Sequence, residues 1–157
     1  MARAADASQL RTRPEDAEID LEGLVGYNLK RAYVVVSSDF RRALGEDGFA
    51  PRQFSALSLI VQFPEIIQSE LARKLGIERS GLVSIVDDLE GRGLVSRMPV
   101  PGDRRVQALT PTKDGRSAYL NARDVVRAHE AALLSDLAPE EVETLIGLLQ
   151  KIRKTEA

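Results

Sequence analysis

The chain has 157 residues, 43% of them hydrophobic and 29% charged, and its formal net charge is −2 at pH 7. This length and composition predict one globular domain with a real core. Because the chain has no cysteine and a single histidine, His129, disulfides, thiolate metal sites and a multi-histidine metal site are excluded within one chain. We expect no cofactor. No apolar run is long enough for a membrane span or a signal peptide, so we expect a cytoplasmic protein.

The first part of the chain predicts an arm followed by a long helix. Residues 1–18 are polar, have no helical stripe and are expected to form a flexible N-terminal arm. From Leu21 to Leu44 apolar residues recur at helical spacing, with Asp20 as the expected N-cap and Gly45 as the expected end. This spacing predicts a first long helix.

Three shorter helices are predicted next. Pro51 can begin a second helix, which must end before Pro64. A third helix opens at Gln68 or Ser69 and closes at Gly76, where a tight turn needs a residue that tolerates a left-handed backbone. A fourth helix is expected over about 79–92, before Gly93.

A hairpin and two further helices complete the predicted elements. Strands are expected over about 94–98 and 105–109, joined by turn formers in the segment Pro99 to Gly102. Thr110 and Pro111 predict the start of a long fifth helix, and Pro139 predicts the start of the last one. Because a small module cannot bury two long apolar stripes, we expect the terminal helices to pack against a second copy.

Helix, tight turn, helix and hairpin in this order are typical of a winged helix-turn-helix, which places one helix and one hairpin against DNA. Charge distribution agrees, because basic residues outnumber acidic ones between Arg92 and Arg116. Inward-facing Leu71, Leu82 and Val86 would leave the opposite face of the fourth helix for DNA. The predicted contacts on that face are Arg79, Ser80, Val83 and Ser84.

The hairpin, or wing, is expected to supply much of the affinity because the fourth helix is not strongly basic. An arginine at the tip, Arg104 or Arg105, suits a narrow minor groove, and Asp103 would pair with a neighbouring arginine. Arg97 and Lys113 are candidate phosphate contacts. The alternative for the wing is a solvated charged turn. The alternatives for the whole chain are a winged module used only for protein contact and an activator without a ligand switch. An enzyme is not expected, because the chain has no motif for a nucleophile with its base.

The chain resembles the MarR family, the multiple antibiotic resistance regulators, from about Leu21 onward. The resemblance is carried by Gln68–Gly76, Val86–Val95, Gly102–Arg105 and Leu109–Gly115. It implies a homodimeric repressor on pseudo-palindromic promoter DNA, released by a small ligand. The family's DNA-contacting positions fall on Arg79, Ser80, Val83, Ser84, Asp103, Arg104 and Arg105. Ser84 and Asp88 depart from the family pattern, in which basic residues are frequent at both positions.

The resemblance also implies a domain organisation. Residues 19–157 would form one MarR-type domain, with a winged module over about 51–112 and dimerisation helices over 19–48 and 112–157.

A small organic effector, such as an aromatic acid or an acyl-CoA type compound, is the remaining candidate ligand, because peroxide sensing in the family uses a cysteine and a zinc site would need more ligands. An arginine near aromatic rings suits a carboxylate or a phosphate. The candidate pocket residues are Tyr27, Arg31, Tyr33, Phe54, Tyr119, Arg123 and His129. Ordinary packing in the core or at an interface is the alternative for each of them.

Overall fold

The computed structural model describes residues 20–45, 48–100 and 102–154, and only the backbone of residues 103–105. The predicted arm at 1–18 lies outside these residues. The elements are α1 (Val25–Leu44), α2 (Pro51–Gln62), β1 (Ile66–Ile67), α3 (Gln68–Leu75), α4 (Arg79–Gly91), β2 (Val95–Val100), β3 (Asp103–Pro111), α5 (Lys113–Leu133) and α6 (Pro139–Arg153). The predicted class, mainly helical with a small hairpin wing, is confirmed. The chain divides into two units at Val35/Val36, within α1.

The start of α1 differs from the prediction. Asp20 does not cap the helix, because its Oδ1 accepts a hydrogen bond from the Glu22 amide at 3.1 Å and the chain turns before the helix begins at Val25. Asn28 closes this turn by donating from its side-chain amide to the Glu22 carbonyl at 2.6 Å. Polar groups close in sequence thus displace the first helical turn that the apolar stripe predicted. The helix ends at Leu44, as predicted, and Gly45 has a φ of 75°.

The helices α2, α3 and α4 form the core of the winged module, with the predicted limits. α2 begins at Pro51, and the Gln53 side chain accepts from the Ala50 amide at 2.7 Å. α3 ends at Gly76, which adopts a left-handed φ of 63°. The largest fully buried side chains are Leu57, Ile60, Leu71, Leu82, Leu89, Leu109 and Val86. They come from α2, α3, α4 and β3, so the core joins the helix-turn-helix to the sheet.

The sheet has three antiparallel strands in the order β1-β3-β2. β1 was not predicted, because two residues carry no periodic pattern and the strand is defined only by pairing, with Ile66 opposite Leu109. β2 and β3 are longer than predicted. They close at the tip, where Val100 pairs with Asp103 and Gly102 has a φ of 89°.

The start of α5 corrects the prediction that Thr110 and Pro111 open this helix. Pro111 is the last residue of β3, opposite Val95, and the N-cap is Thr112. The Thr112 hydroxyl accepts from the Gly115 amide at 2.9 Å and donates to the Gly93 carbonyl at 2.8 Å. A Cβ on Gly115 would lie 1.9 Å from the Leu94 carbonyl oxygen. α5 is therefore fixed tightly against the base of the wing.

α6 begins at Pro139, as predicted, and none of its residues is buried. Its apolar side chains include Leu145, Ile146, Leu148 and Ile152, which are 41–52% exposed. In the part of the chain that the structure describes, no helix combines the length and apolarity required to span a membrane.

Candidate nucleic-acid interface and effector site

α4 has one face in the core and one in solvent. Leu82, Val86 and Leu89 are fully buried. Arg79, Ser80 and Ser84 are exposed, and Val83 is 41% exposed. The predicted base-contacting residues thus share the free face of a helix whose other face is held rigidly. A helix presented in this way can enter a major groove.

A small cleft lies beside the N-terminal end of α4. It has a volume of about 230 Å³, and its polar lining comes from Gln68 and Ser69 at the start of α3, Arg79 at the start of α4 and Gln107 on β3. Three separate segments therefore offer hydrogen-bond donors at one place. Sequence reasoning assigned no DNA role to Gln68, Ser69 or Gln107. The signal available in the sequence was the predicted start of α3. Backbone amide groups at a helix N-terminus favour phosphate, and Ser69 adds a hydroxyl group there.

The wing projects from the same module. The backbone places Asp103, Arg104 and Arg105 as the first three residues of β3, directly after the turn at Gly102. Their side chains lie outside the described residues, so the predicted pairing of Asp103 stays a prediction. Lys113 is exposed in the first turn of α5.

Arg97 on β2 is held by acidic residues of α4. Its guanidinium contacts the Asp87 carboxylate and lies 3.3 Å from Glu90, and its side chain is 24% exposed. These ion pairs join the wing to α4. The sequence did not indicate these partners, and the predicted phosphate contact of Arg97 stays a prediction.

Asp88, a position where the chain departs from the family pattern, also has a structural partner. Its carboxylate accepts a hydrogen bond from the Gln53 amide of α2 at 2.9 Å and lies 3.9 Å from Arg92. The acidic residue therefore ties α4 to the start of α2.

Three of the predicted effector residues lie in one aromatic cluster, which we define as Phe40, Phe54, Tyr119 and His129. The rings of Phe54 and Tyr119 stack with centroids 5.9 Å apart, and Phe40 is 5.8 Å from Phe54 and 6.2 Å from His129. The His129 Nδ1 is 2.9 Å from the Asp39 carboxylate, and its side chain is 6% exposed. Phe40, which connects the cluster, was seen in the sequence only as part of the apolar stripe of α1.

The other predicted effector residues are not joined to the cluster by any contact described. Arg123 forms an ion pair with its neighbour Asp124 at 2.9 Å. In the N-terminal unit, Arg31 donates to the Tyr27 hydroxyl at 3.3 Å, and Tyr33 is 54% exposed. Their part in a pocket remains a prediction. Among residues 20–45, 48–100 and 102–154, no group of three or more acidic or histidine side chains is arranged to hold a metal ion.

Comparison with known proteins identifies the family. Residues 49–106 match the model of the MarR family. A putative transcriptional regulatory protein for the hcr operon of Thauera aromatica is 30% identical over 87% of this chain and 83% of its own length. The structure of the transcriptional repressor CouR bound to a 23-mer DNA duplex is 37% identical, covers 87% of this chain and 99% of that chain, and has a TM-score of 0.81.

CouR from Rhodococcus jostii RHA1, bound to p-coumaroyl-CoA, is 30% identical over 86% of this chain and 95% of that chain, with a TM-score of 0.76. These matches cover more of the chain than the winged module alone, and the residues that match the family model include α3, α4 and most of the wing. This chain therefore belongs to the MarR family of transcriptional regulators.

Proposed function

We propose that this protein is a homodimeric repressor that binds a pseudo-palindromic promoter site and leaves it when a small organic effector binds. The observation that carries the proposal is the exposed face of α4, with Arg79, Ser80 and Ser84, on a helix whose other face is fully buried. The DNA-bound structure of the CouR repressor, 37% identical to this chain, supports it.

Base recognition is assigned to the N-terminal half of α4. There Arg79 contacts a guanine or a phosphate, Ser80 and Ser84 hydrogen-bond to base edges, and Val83 packs on a thymine methyl group. We expect Ser80→Ala or Val83→Ala to alter base preference by about 1–3 kcal/mol per lost contact. Competition among duplexes with single base changes measures this, with Ser135→Ala, in the exposed α5–α6 loop, as the control. An unaltered preference in both variants would remove α4 from base recognition.

Backbone contacts are assigned to the wing and to the start of α5. We expect Arg104→Ala to weaken binding to all duplexes, most of all to those with A/T-rich flanks, and to reduce the salt slope by about 1 for each protomer, or about 2 for the dimer. Arg105 and Lys113 would add further phosphate contacts. Arg97 would contribute indirectly, because its ion pairs with Asp87 and Glu90 hold the wing against α4. Unchanged affinity for Arg104→Ala would mean that the wing tip does not engage DNA.

The effector is assigned to the aromatic cluster. One similar structure, CouR from Rhodococcus jostii RHA1, is bound to p-coumaroyl-CoA. In this chain the stacked Phe54 and Tyr119 rings, with His129 and Asp39 beside Phe40, offer apolar surface and polar groups suited to an aromatic acyl group. Arg123, also on α5, remains a candidate for the polar end of the ligand, and the roles of Tyr27, Arg31 and Tyr33 stay predictions from the sequence.

α5 provides the path from effector to DNA. It carries Tyr119 and His129, and at its first turn Gly115 is packed against the Leu94 carbonyl at the base of the wing. A ligand that separates Phe54 from Tyr119 must displace α5 or α2, and displacement of α5 moves the wing. The effector would thereby favour a state that fits DNA poorly.

The exposed apolar surface of α6 supports the homodimer. Ile146 and Leu148 are 50% and 52% exposed, and Leu134, Leu137 and Leu149 line a cleft of about 580 Å³ between α5 and α6. A second copy would remove this surface from water. A regulator of chromosomal DNA acts where that DNA lies, so we place the protein in the cytoplasm, and we assign it no catalytic activity.

Effector release is tested by fluorescence anisotropy with the promoter region next to its own gene, titrated with p-coumaroyl-CoA, p-coumarate and coenzyme A. Release by an aromatic compound or its thioester but not by coenzyme A alone supports the proposal. We expect Tyr119→Ala to bind DNA and lose the response, whereas Leu120→Ala, at an adjacent position that is 47% exposed, keeps it. DNA binding that none of a panel of aromatic acids and thioesters affects would contradict the effector part.

A further inference from the structure

A cleft of about 420 Å³ lies between the C-terminal ends of α3 and α6. Its polar lining consists of Arg73 and Lys74 from α3 with Gln150 and Arg153 from α6 and Lys154, the C-cap of α6. Four cationic side chains thus converge from two helices that are far apart in sequence. None of the lining residues of this cleft is acidic. We call it the α3–α6 basic cleft.

The surroundings of the cleft favour positive charge. Arg73 and Lys74 lie in the last turn of α3, and Arg153 lies in the last turn of α6. Carbonyl groups at helix C-termini carry partial negative charge, which stabilises cations at both ends. The Lys74 ammonium also lies 4.3 Å from the centroid of the Phe63 ring. Among the described residues Arg73 has an acidic partner in Glu70 at 4.0 Å, but the two side chains are 76% and 44% exposed, so this pair offsets little of the positive charge of the cleft.

The position of the cleft relates it to α4. Leu75 and Gly76 also line it, and Gly76 is the turn residue three positions before Arg79, where α4 begins. In a helix-turn-helix the first helix crosses the sugar-phosphate backbone while the N-terminus of the second enters the major groove. α3 is that first helix here. The cleft therefore adjoins the part of the molecule that passes the DNA backbone.

We propose that the α3–α6 basic cleft is a second binding site for the DNA phosphate backbone, separate from α4 and the wing. Arg153 and Lys154 come from the last helix, outside the residues 49–106 that match the family model. A helix of the dimerisation region thus contributes directly to the affinity for DNA, without reading its sequence. This inference rests on the proposed DNA-binding function.

The test compares two cleft variants with a control from the same helix. Arg153→Gln and Lys154→Gln each remove one cation from the cleft, whereas Lys151→Gln removes an exposed cation of α6 that does not line it. Each protein is titrated with a specific duplex and with a scrambled duplex over a salt series. Circular dichroism and sedimentation verify that the variants are folded and have the oligomeric state of the wild type.

We expect each cleft variant to lower the affinity for both duplexes by the same factor, about five- to tenfold at low salt, and to reduce the salt slope by about 1 for each protomer, or about 2 for the dimer. Lys151→Gln should leave both quantities unchanged. If the wild type binds DNA and the cleft variants keep its affinity and slope, the inference is overturned while the proposed function stands. Loss of coenzyme A binding with unchanged DNA binding would likewise overturn it, in favour of a site for a phosphorylated ligand. A wild type without DNA binding would instead reject the proposed function itself.

Discussion

The winged module and the outer helix α6 use leucine in opposite ways. In the module Leu57, Leu71 and Leu82 are fully buried, whereas α6 has no buried residue and exposes Leu148 by 52%. The module therefore buries its leucines in a packed core, whereas α6 presents an exposed apolar surface, which we propose is covered by a second copy of the chain. Buried leucines thus mark the core of the winged module, and exposed leucines mark the surface of α6 that we propose for assembly.

The largest effect that this comparison predicts concerns leucine truncation. Leu71→Ala removes a fully buried side chain, so the free energy of unfolding should fall by about 2–5 kcal/mol. Leu148→Ala removes a half-exposed side chain and should change the monomer's stability by less than about 0.5 kcal/mol. Urea denaturation measures the free energy of unfolding of both variants, and repeating it at several protein concentrations separates the monomer's stability from the contribution of dimerisation. Equal losses in both variants would erase the distinction between the regions.

A charge placed on α6 tests its role in assembly. Ile146→Lys should weaken dimerisation by at least about tenfold, because the new ammonium group would be buried against the partner. The circular dichroism of the winged module should remain that of the wild type. Sedimentation equilibrium measures the association constant, and an unchanged constant would show that α6 does not form the interface.

Substitutions where α5 meets the winged module should reduce stability less than the leucine truncation does. Thr112→Ala removes the cap of α5 and its bond to the Gly93 carbonyl, which should cost about 1 kcal/mol of stability. Ser117→Ala, whose hydroxyl donates to the Lys113 carbonyl within α5, provides a control of similar size. If the cap variant is as stable as the control, the Thr112 contacts do not anchor α5 to the wing.

The smallest effect is expected at the ion pairs between the wing and α4. Arg97→Gln should reduce stability by about 1 kcal/mol or less, because all three partners are partly exposed to solvent. Its effect on DNA affinity should be larger than this, since a wing detached from α4 must be ordered again on binding. The ratio of the two effects, from thermal unfolding and anisotropy, tests the positioning role. Full DNA affinity in this variant would contradict it.

Local patterns predicted the helix-turn-helix well. The turn at Gly76 and the spacing of Leu82, Val86 and Leu89 depend on residues close in sequence, and they also fixed which face of α4 is exposed. β1 and the end of β3 were missed because pairing between distant segments creates them, as where Pro111 lies opposite Val95. Local side-chain bonding at Asp20 likewise overrode the apolar stripe of α1.

The site was predictable to a similar extent. The exposed positions of Ser80 and Val83 followed from helical periodicity, but the acidic partners of Arg97 required the packing of β2 against α4. Phe40 gained its place in the aromatic cluster only through contacts with α2 and α5. The α3–α6 basic cleft joins residues about eighty positions apart. No sequence motif predicts that these residues lie together.

We propose that the winged module binds DNA by recognising its base sequence and by contacting its phosphate backbone. The most direct measurement is the affinity of the wild type for the promoter region next to its own gene and for a scrambled duplex, over a salt series. We predict that the promoter region is bound about 10³-fold or more tightly than the scrambled duplex, and that both affinities fall steeply with salt. Equal affinities, or affinities that do not depend on salt, would contradict the account.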